Sequence, residues 1–399
     1  MRKPLVTALK LLVLVGLFAW IIANIQWRDS IQRTAADESI VERVEGRIVG
    51  AWDRAVVHLA VGEETQEFKI GPIQGGGHIA VAPGLLTYFR QLDLTWFVLG
   101  ALGYVASMAA ASARWWWLLA RNGIHVRMRS ALRLTWIGVF FNNFVPGQTG
   151  GDLVKAVYIV RQSPGRRVAA AMSVVVDRVL GLGSLALLGA VVVLFDVDRF
   201  GWLALGIWAV LLAVCAIGVF AFSRRLRRAL GLDALLRRLP EKFAAALMKV
   251  DAAVFFYRDH KAGIFVWVVL GALNHVITVA SFFCMGEALR IGVPPLEYFV
   301  LVPIALIGSA VPIAPNGWGV GEALFGKLFG TYAAVHVGPG VPDPEAVMRT
   351  RGIALSVLYR LHTTLWSLVG GVMLLADRHR LTRAELDAAR DEGPPEVAR

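Results

Sequence analysis

Phe140 to Arg161 reads FFNNFVPGQTGGDLVKAVYIVR, a polar, glycine-rich knot between two apolar runs. A helix that crosses a bilayer needs about 20 apolar residues, and neither flank supplies them. Pro146, Gly147, Gly150 and Gly151 should break a continuous helix, and Asp152 and Lys155 would bring ionisable groups to membrane depth. Irregular backbone at that depth is tolerated where it is buried in protein or lines a wet cavity. The stretch therefore reads as a re-entrant hairpin whose tip faces a cavity.

The rest of the chain agrees with a membrane setting. Its 399 residues have a mean hydropathy of +0.60, with 57% hydrophobic and 18% charged residues. That is too apolar for a soluble domain of this size. The net charge of +12 does not indicate nucleic acid, because the basic residues collect in short loops beside apolar runs, which is how topology is encoded. Cys215 and Cys284 both lie in apolar runs and no Cys/His cluster has ligand spacing, so no disulfide framework, metal or other cofactor is expected.

In chain order, residues 1–26 read as an N-terminal anchor with Arg2 and Lys3 inside, a cleaved signal peptide being the alternative. Residues 27–93 alternate in strand fashion at Arg47–Val49, Ala55–Val61 and Glu67–Ile70, with a helical opening around Thr34 to Val44. This predicts a small β-rich extracytoplasmic module. Leu94 to Ala113 reads as a span, followed by a cytoplasmic loop with Arg114, Arg121, Arg127, Arg129 and Arg133 and an interfacial belt of Trp115, Trp116 and Trp117. The hairpin leaves on the same side at Arg161, Arg166 and Arg167. Val168 to Phe195 spans again and carries Asp177 and Arg178; Phe200 to Phe222 returns to Arg224, Arg225, Arg227 and Arg228. An amphipathic interfacial stretch continues to Gly263, and Ile264 to Leu289 spans outward with Asn274 and His275.

A second knot follows. Pro312, Pro315, Asn316, Gly317, Gly319, Gly321 and Glu322 interrupt an apolar arm, Lys327 comes shortly after, and a last span runs from Gly352 to Ala376. This hairpin is entered from the outer face. The fold class is thus an all-α polytopic membrane protein with about six full spans and two re-entrant hairpins arranged as an inverted repeat, 94–195 against 264–376, with 196–263 joining them. The tail, 377–399, is expected to be cytoplasmic. Laying Asp177-Arg178 over Tyr359-Arg360 brings Gly189 onto Gly371 without a gap, so each half has an intramembrane arginine in its last span.

The strings NNFVPGQTGGDLVKA, VVVDRVLGL and PNGWGVGE, followed by an arginine in the final span, resemble the transmembrane region of the lysylphosphatidylglycerol synthetase family, also called flippase-like domain proteins. The resemblance covers about Leu94 to Ala376. It implies an integral protein of a bacterial inner membrane that binds or translocates lipids, and the intramembrane arginines make an anionic phospholipid or polyprenyl-phosphate-type lipid the expected one. The best understood relative carries a soluble aminoacyl-transferase domain, and Leu381 to Arg399 has no counterpart to it, so synthetase activity is not carried over and the chain is not expected to be an enzyme.

Candidate substrate-binding residues are Asn143, Pro146, Gly147, Gly150, Gly151, Asp152 and Lys155 at the first knot, and Asp177 and Arg178 in the following span. Asn316, Gly319, Glu322 and Arg360 complete the set. Half-helix N-termini offer free N–H groups to an anion, and arginine holds phosphate with paired donors. Two alternatives stay open: a lipid-linked transferase using Asp152, Asp177 or Glu322, and a non-catalytic assembly partner of an envelope protein, with or without homo-oligomerisation. Gly321 to Lys327 matches G-x-x-x-x-G-K, but Leu328 stands where a nucleotide loop needs Ser or Thr. Asp196-Val197-Asp198 starts like a calcium loop but has Ile207 at its twelfth position.

Overall fold

The computed structural model describes residues 12, 15–16, 18–35, 39–73, 77–144, 150–222, 261–310, 317–338 and 340–376. The tip of the first knot, Pro312 and Pro315 of the second, the basic stretch after Phe222 and the tail 377–399 lie outside them. The chain is mostly helical with one small sheet, and falls into two compact units.

The first unit comprises residues 1–104 and 278–363. It opens with helix at 18–24 and then a six-stranded antiparallel sheet. The strands are β1 (Asp29–Thr34), β2 (Ile40–Val49), β3 (Val56–Val61), β4 (Glu64–Lys69), β5 (Gly71–Pro72) and β6 (His78–Ala82), in the order β4-β3-β2-β1-β6-β5. The helical opening expected over Thr34 to Val44 is instead the end of β1 and the first half of β2. Pairing decides the matter, since Ile31 faces Val44 and Gln32 faces Arg43 across the ladder. Buried Asp29 fastens the sheet to the next element, helix α1 (Leu85–Arg90). Its carboxylate accepts from Ile48 N at 2.8 Å, Gly84 N at 2.7 Å and Thr87 Oγ1 at 2.8 Å.

Helix α2 (Leu94–Arg121) begins in this unit and ends in the other. At about 1.5 Å per residue it is about 42 Å long, enough to cross a bilayer. It runs on past Ala113, so Arg114 and the three tryptophans are helical residues and not a loop. Trp115 is fully buried, whereas Trp116 is exposed. Helices α3 (Met128–Phe144) and α4 (Gly150–Arg161) flank the first knot in the second unit, which comprises 105–277 and 364–399. Gly150 and Gly151 form the first turn of α4 and do not break it. Their purpose is closeness: a Cβ on Gly151 would overlap the Gly138 carbonyl of α3.

Helix α5 (Arg167–Val192) passes through a short 3-10 turn into α6 (Val197–Phe222), and α7 (Lys261–Ala288) leads back to the first unit. There α8 (Pro295–Ser309) and α9 (Val320–Ala333) flank the second knot. The last helix, α10 (Pro344–Leu375), begins well before the expected Gly352. Among the described residues three helical stretches are long and apolar enough to cross a membrane: Leu94–Arg121, Pro164–Ala216 and Ala262–Ala288.

Candidate functional site

In the second unit, α2, α4 and α5 bring five charged side chains together. Asp177 of α5 accepts from Arg114 Nε at 2.8 Å and lies 3.5 Å from Lys155 Nζ. The Lys155 ammonium also sits 3.9 Å above the Trp115 ring, a contact that supports a desolvated cation. Trp115 is fixed in turn by its Nε1, which donates to Ser173 Oγ at 3.1 Å. Arg178, next in sequence to Asp177, reaches Asp152 at 3.4 Å. Arg114, Lys155 and Arg178 thus supply three positive charges against two negative ones from Asp152 and Asp177.

The two halves of this cluster differ in access. The Asp177 side chain is 14% exposed, with its cations at 8% and 7%, while Arg178 and Asp152 are 36% and 28% exposed. Asp177 is therefore committed to its partners, and the Arg178–Asp152 pair is the more exposed of the two. Small residues make room for the guanidinium of Arg114: Cβ atoms on Gly181 or Gly271 would press on it. At the mouth of the knot, Asn142 Oδ1 accepts from Gly151 N at 2.8 Å, holding the first turn of α4 against α3.

The first unit repeats this relation with different burial. Glu322, in the first turn of α9, accepts from Arg360 Nε at 2.5 Å and Ser356 Oγ at 3.0 Å, both on α10. Its other oxygen accepts from Gly319 N at 2.5 Å, so one carboxylate caps α9 and ties it to α10. Gly319 has φ 81°, a left-handed conformation open to glycine. A Cβ on Gly321 would collide with the Arg360 guanidinium. Trp318 lies 5.7 Å from the same group. With side chains only 8% and 2% exposed, Arg360 and Glu322 form a sealed pair.

The predicted residues thus divide into two sites. Gly150, Gly151, Asp152, Lys155, Asp177 and Arg178 converge in the second unit, and Gly319, Glu322 and Arg360 in the first. Asn143 is engaged elsewhere, donating to Val139 O at 3.0 Å and accepting from Thr364 Oγ1 at 3.2 Å. Pro146, Gly147 and Asn316 lie outside the described residues. Sequence reasoning missed Arg114, whose placement in a loop hid its role as the main partner of Asp177. The apolar residues that follow it, Leu118 and Leu119, were the available sign that the helix continues. Ser356 and Trp318 were also missed.

Similar proteins fit this picture. A UPF0104 membrane protein of Pyrococcus horikoshii is 24% identical over 319 residues, which covers 73% of this chain and 90% of that protein. The family described as lysylphosphatidylglycerol synthase TM region matches residues 82–370, from the last strand of the sheet to near the end of α10. Since the match takes in both charged clusters and most of the chain, this protein is a membrane protein of the lysylphosphatidylglycerol synthase TM region family.

Proposed function

We propose that the protein binds and translocates a lipid with an anionic phosphate head group, in a bacterial inner membrane with both chain ends on the cytoplasmic side. The observation that carries this reading is the charge imbalance of the second-unit cluster, three cations to two acids, with Arg114, Asp177 and Arg178 on helices apolar enough to cross a membrane. Burying a charge among membrane helices is costly, up to about 2.5–3.5 kcal/mol at the bilayer centre on insertion scales, so an excess cation in this cluster calls for an anionic partner. Arg178 is the residue we assign to the phosphate, because its pair with Asp152 is the accessible one. A phosphate oxygen can replace the Asp152 carboxylate at the same guanidinium, and release restores the resting pair. Arg360, sealed against Glu322, is assigned to positioning α9 on α10.

In this reading the α3–α4 and α8–α9 pairs are the two re-entrant hairpins of an inverted repeat, and further apolar segments complete about six spans. The matched family is described as the TM region of lysylphosphatidylglycerol synthase, so lipid handling is what we carry to this chain, and aminoacyl transfer is not. Reconstitution into proteoliposomes with a fluorescent anionic phospholipid tests it. Arg178→Lys keeps the charge but loses the paired donors, and should slow translocation by about tenfold with unchanged thermal stability. Wild-type rates in Arg178→Lys and Arg178→Gln would refute the assignment.

A further inference from the structure

A separate cleft of about 430 Å³ lies in the first unit, where the loop after β2 meets α1 and the turn that ends α7. Gly50, Ala51, Arg90, Gln91, Leu92 and Arg290 line it. None of these residues belongs to either charged cluster described above. The volume falls in the range of small-molecule sites, ~300–1,000 Å³.

Arg290 is the unusual member. It is the one non-glycine residue with positive φ among those described, at 54°. The cause is a helix ending: Ile291 N donates to Gly286 O at 3.0 Å and Arg290 N to Glu287 O at 2.9 Å, the bond pair of a left-handed cap that glycine normally occupies. The backbone therefore asks for glycine and the sequence supplies a long cation. That cation is aimed: its Nη1 donates to Asp53 Oδ1 at 2.8 Å, which leaves its remaining donors for another acceptor.

Arg90, the last residue of α1, adds a second guanidinium and has no acidic partner among the described residues. With Asp53 counted, the cleft holds two positive charges to one negative. Its rim is fixed, because Gln91 donates to Gly50 O at 2.7 Å and accepts from Trp52 N at 3.2 Å. Its level is fixed as well. Asp93 N donates to Ala288 O at 2.9 Å, joining the start of α2 to the end of α7, so the cleft stands where two membrane-crossing helices end, beside exposed Leu94 and Trp96. Tryptophan is enriched at that head-group level.

The geometry points to a phosphate-binding site at the membrane surface, with Arg90 and Arg290 as the donors. A phosphate accepts several charge-assisted hydrogen bonds at once, and two guanidiniums lining one cleft can provide them. The phosphate has two sources, a lipid head group or a soluble anion, and the test separates them.

The full-length protein is placed in phosphatidylcholine nanodiscs with and without phosphatidylglycerol, and its melting temperature and retained lipid are measured; inorganic phosphate is titrated in parallel. Arg290→Gly is the key variant, since it suits the left-handed backbone and should fold at least as well as wild type. Arg290→Gly and Arg90→Gln should each weaken the response to one of these probes by about tenfold. Loss of phosphatidylglycerol retention identifies the lipid source, and loss of the inorganic phosphate response identifies the soluble one. Because Arg178 has its own lipid response, the cleft is read as the response that remains in Arg178→Gln and is lost when Arg290→Gly or Arg90→Gln is added to it, so failure of the translocation assay and failure of this site are distinguishable. Wild-type responses to both probes in both cleft variants would overturn the proposal.

Discussion

At the scale of single residues, the glycines of the two knots show most directly what the chemistry requires. Gly321 faces the Arg360 guanidinium, which is held by Glu322 and cannot swing aside freely. Gly321→Ala should therefore cost about 1–3 kcal/mol, the usual penalty of overpacking, seen as a lower melting temperature in detergent. Gly206, by contrast, lies inside α6 with open space around its missing side chain. Gly206→Ala should leave stability unchanged or raise it by up to ~1 kcal/mol, because alanine is the better helix residue. Equal effects of the two substitutions would show that the Arg360 packing is not what fixes Gly321. Sequence reading identified the knot glycines but assigned them to helix breaking. In the structure Gly151 and Gly321 are helical residues that permit close approach, a role set by residues on other helices, Gly138 for one and Arg360 for the other.

At the scale of elements, the two acids differ by burial more than by chemistry. Glu322→Gln keeps an acceptor for the α9 cap but leaves Arg360 buried without its counter-charge. Removing one partner of a buried pair costs about 3–5 kcal/mol, so this change should severely reduce stability. Asp152→Asn acts on a pair that is about a third exposed and should cost no more than ~1 kcal/mol. Comparable stability losses in thermal unfolding would contradict the distinction between a sealed and an accessible pair. The sheet shows the limit of pattern reading on the same scale. The end of β2, with β3 and β4, was visible through its alternation, yet the first half of β2 was read as helix and β1 was not seen, because DSIQRT is polar and nevertheless central. Its Asp29, Ser30, Gln32 and Thr34 are all buried. Asp29 is accommodated through three hydrogen bonds, two of them to residues more than fifty positions away, a compensation that no local pattern reveals.

For the whole molecule, the question is whether the two knots enter the membrane from opposite faces. The argument rests on charge and on recurrence. Arg127, Arg129 and Arg133 precede the first knot and Arg161, Arg166 and Arg167 follow it, which by the positive-inside rule is why we propose both of its ends on the cytoplasmic side. Ala262–Ala288, long and apolar enough to cross, lies between the basic stretch after Phe222 and the second knot, and on our proposal that knot starts from the other side. In each unit the acid that follows the knot meets an arginine of a later helix, Asp152 with Arg178 and Glu322 with Arg360, as two copies of one ancestral arrangement would. Single cysteines at Thr149 and Asn316 test the scheme in a background carrying Cys215→Ser and Cys284→Ser, which removes both native thiols. A membrane-impermeant thiol reagent should reach Thr149→Cys from the cytoplasmic face and Asn316→Cys from the outer face. Labelling of Thr149→Cys only from outside, or of Asn316→Cys only from inside, would break the inverted repeat and with it the reason for treating the two pairs as equivalent.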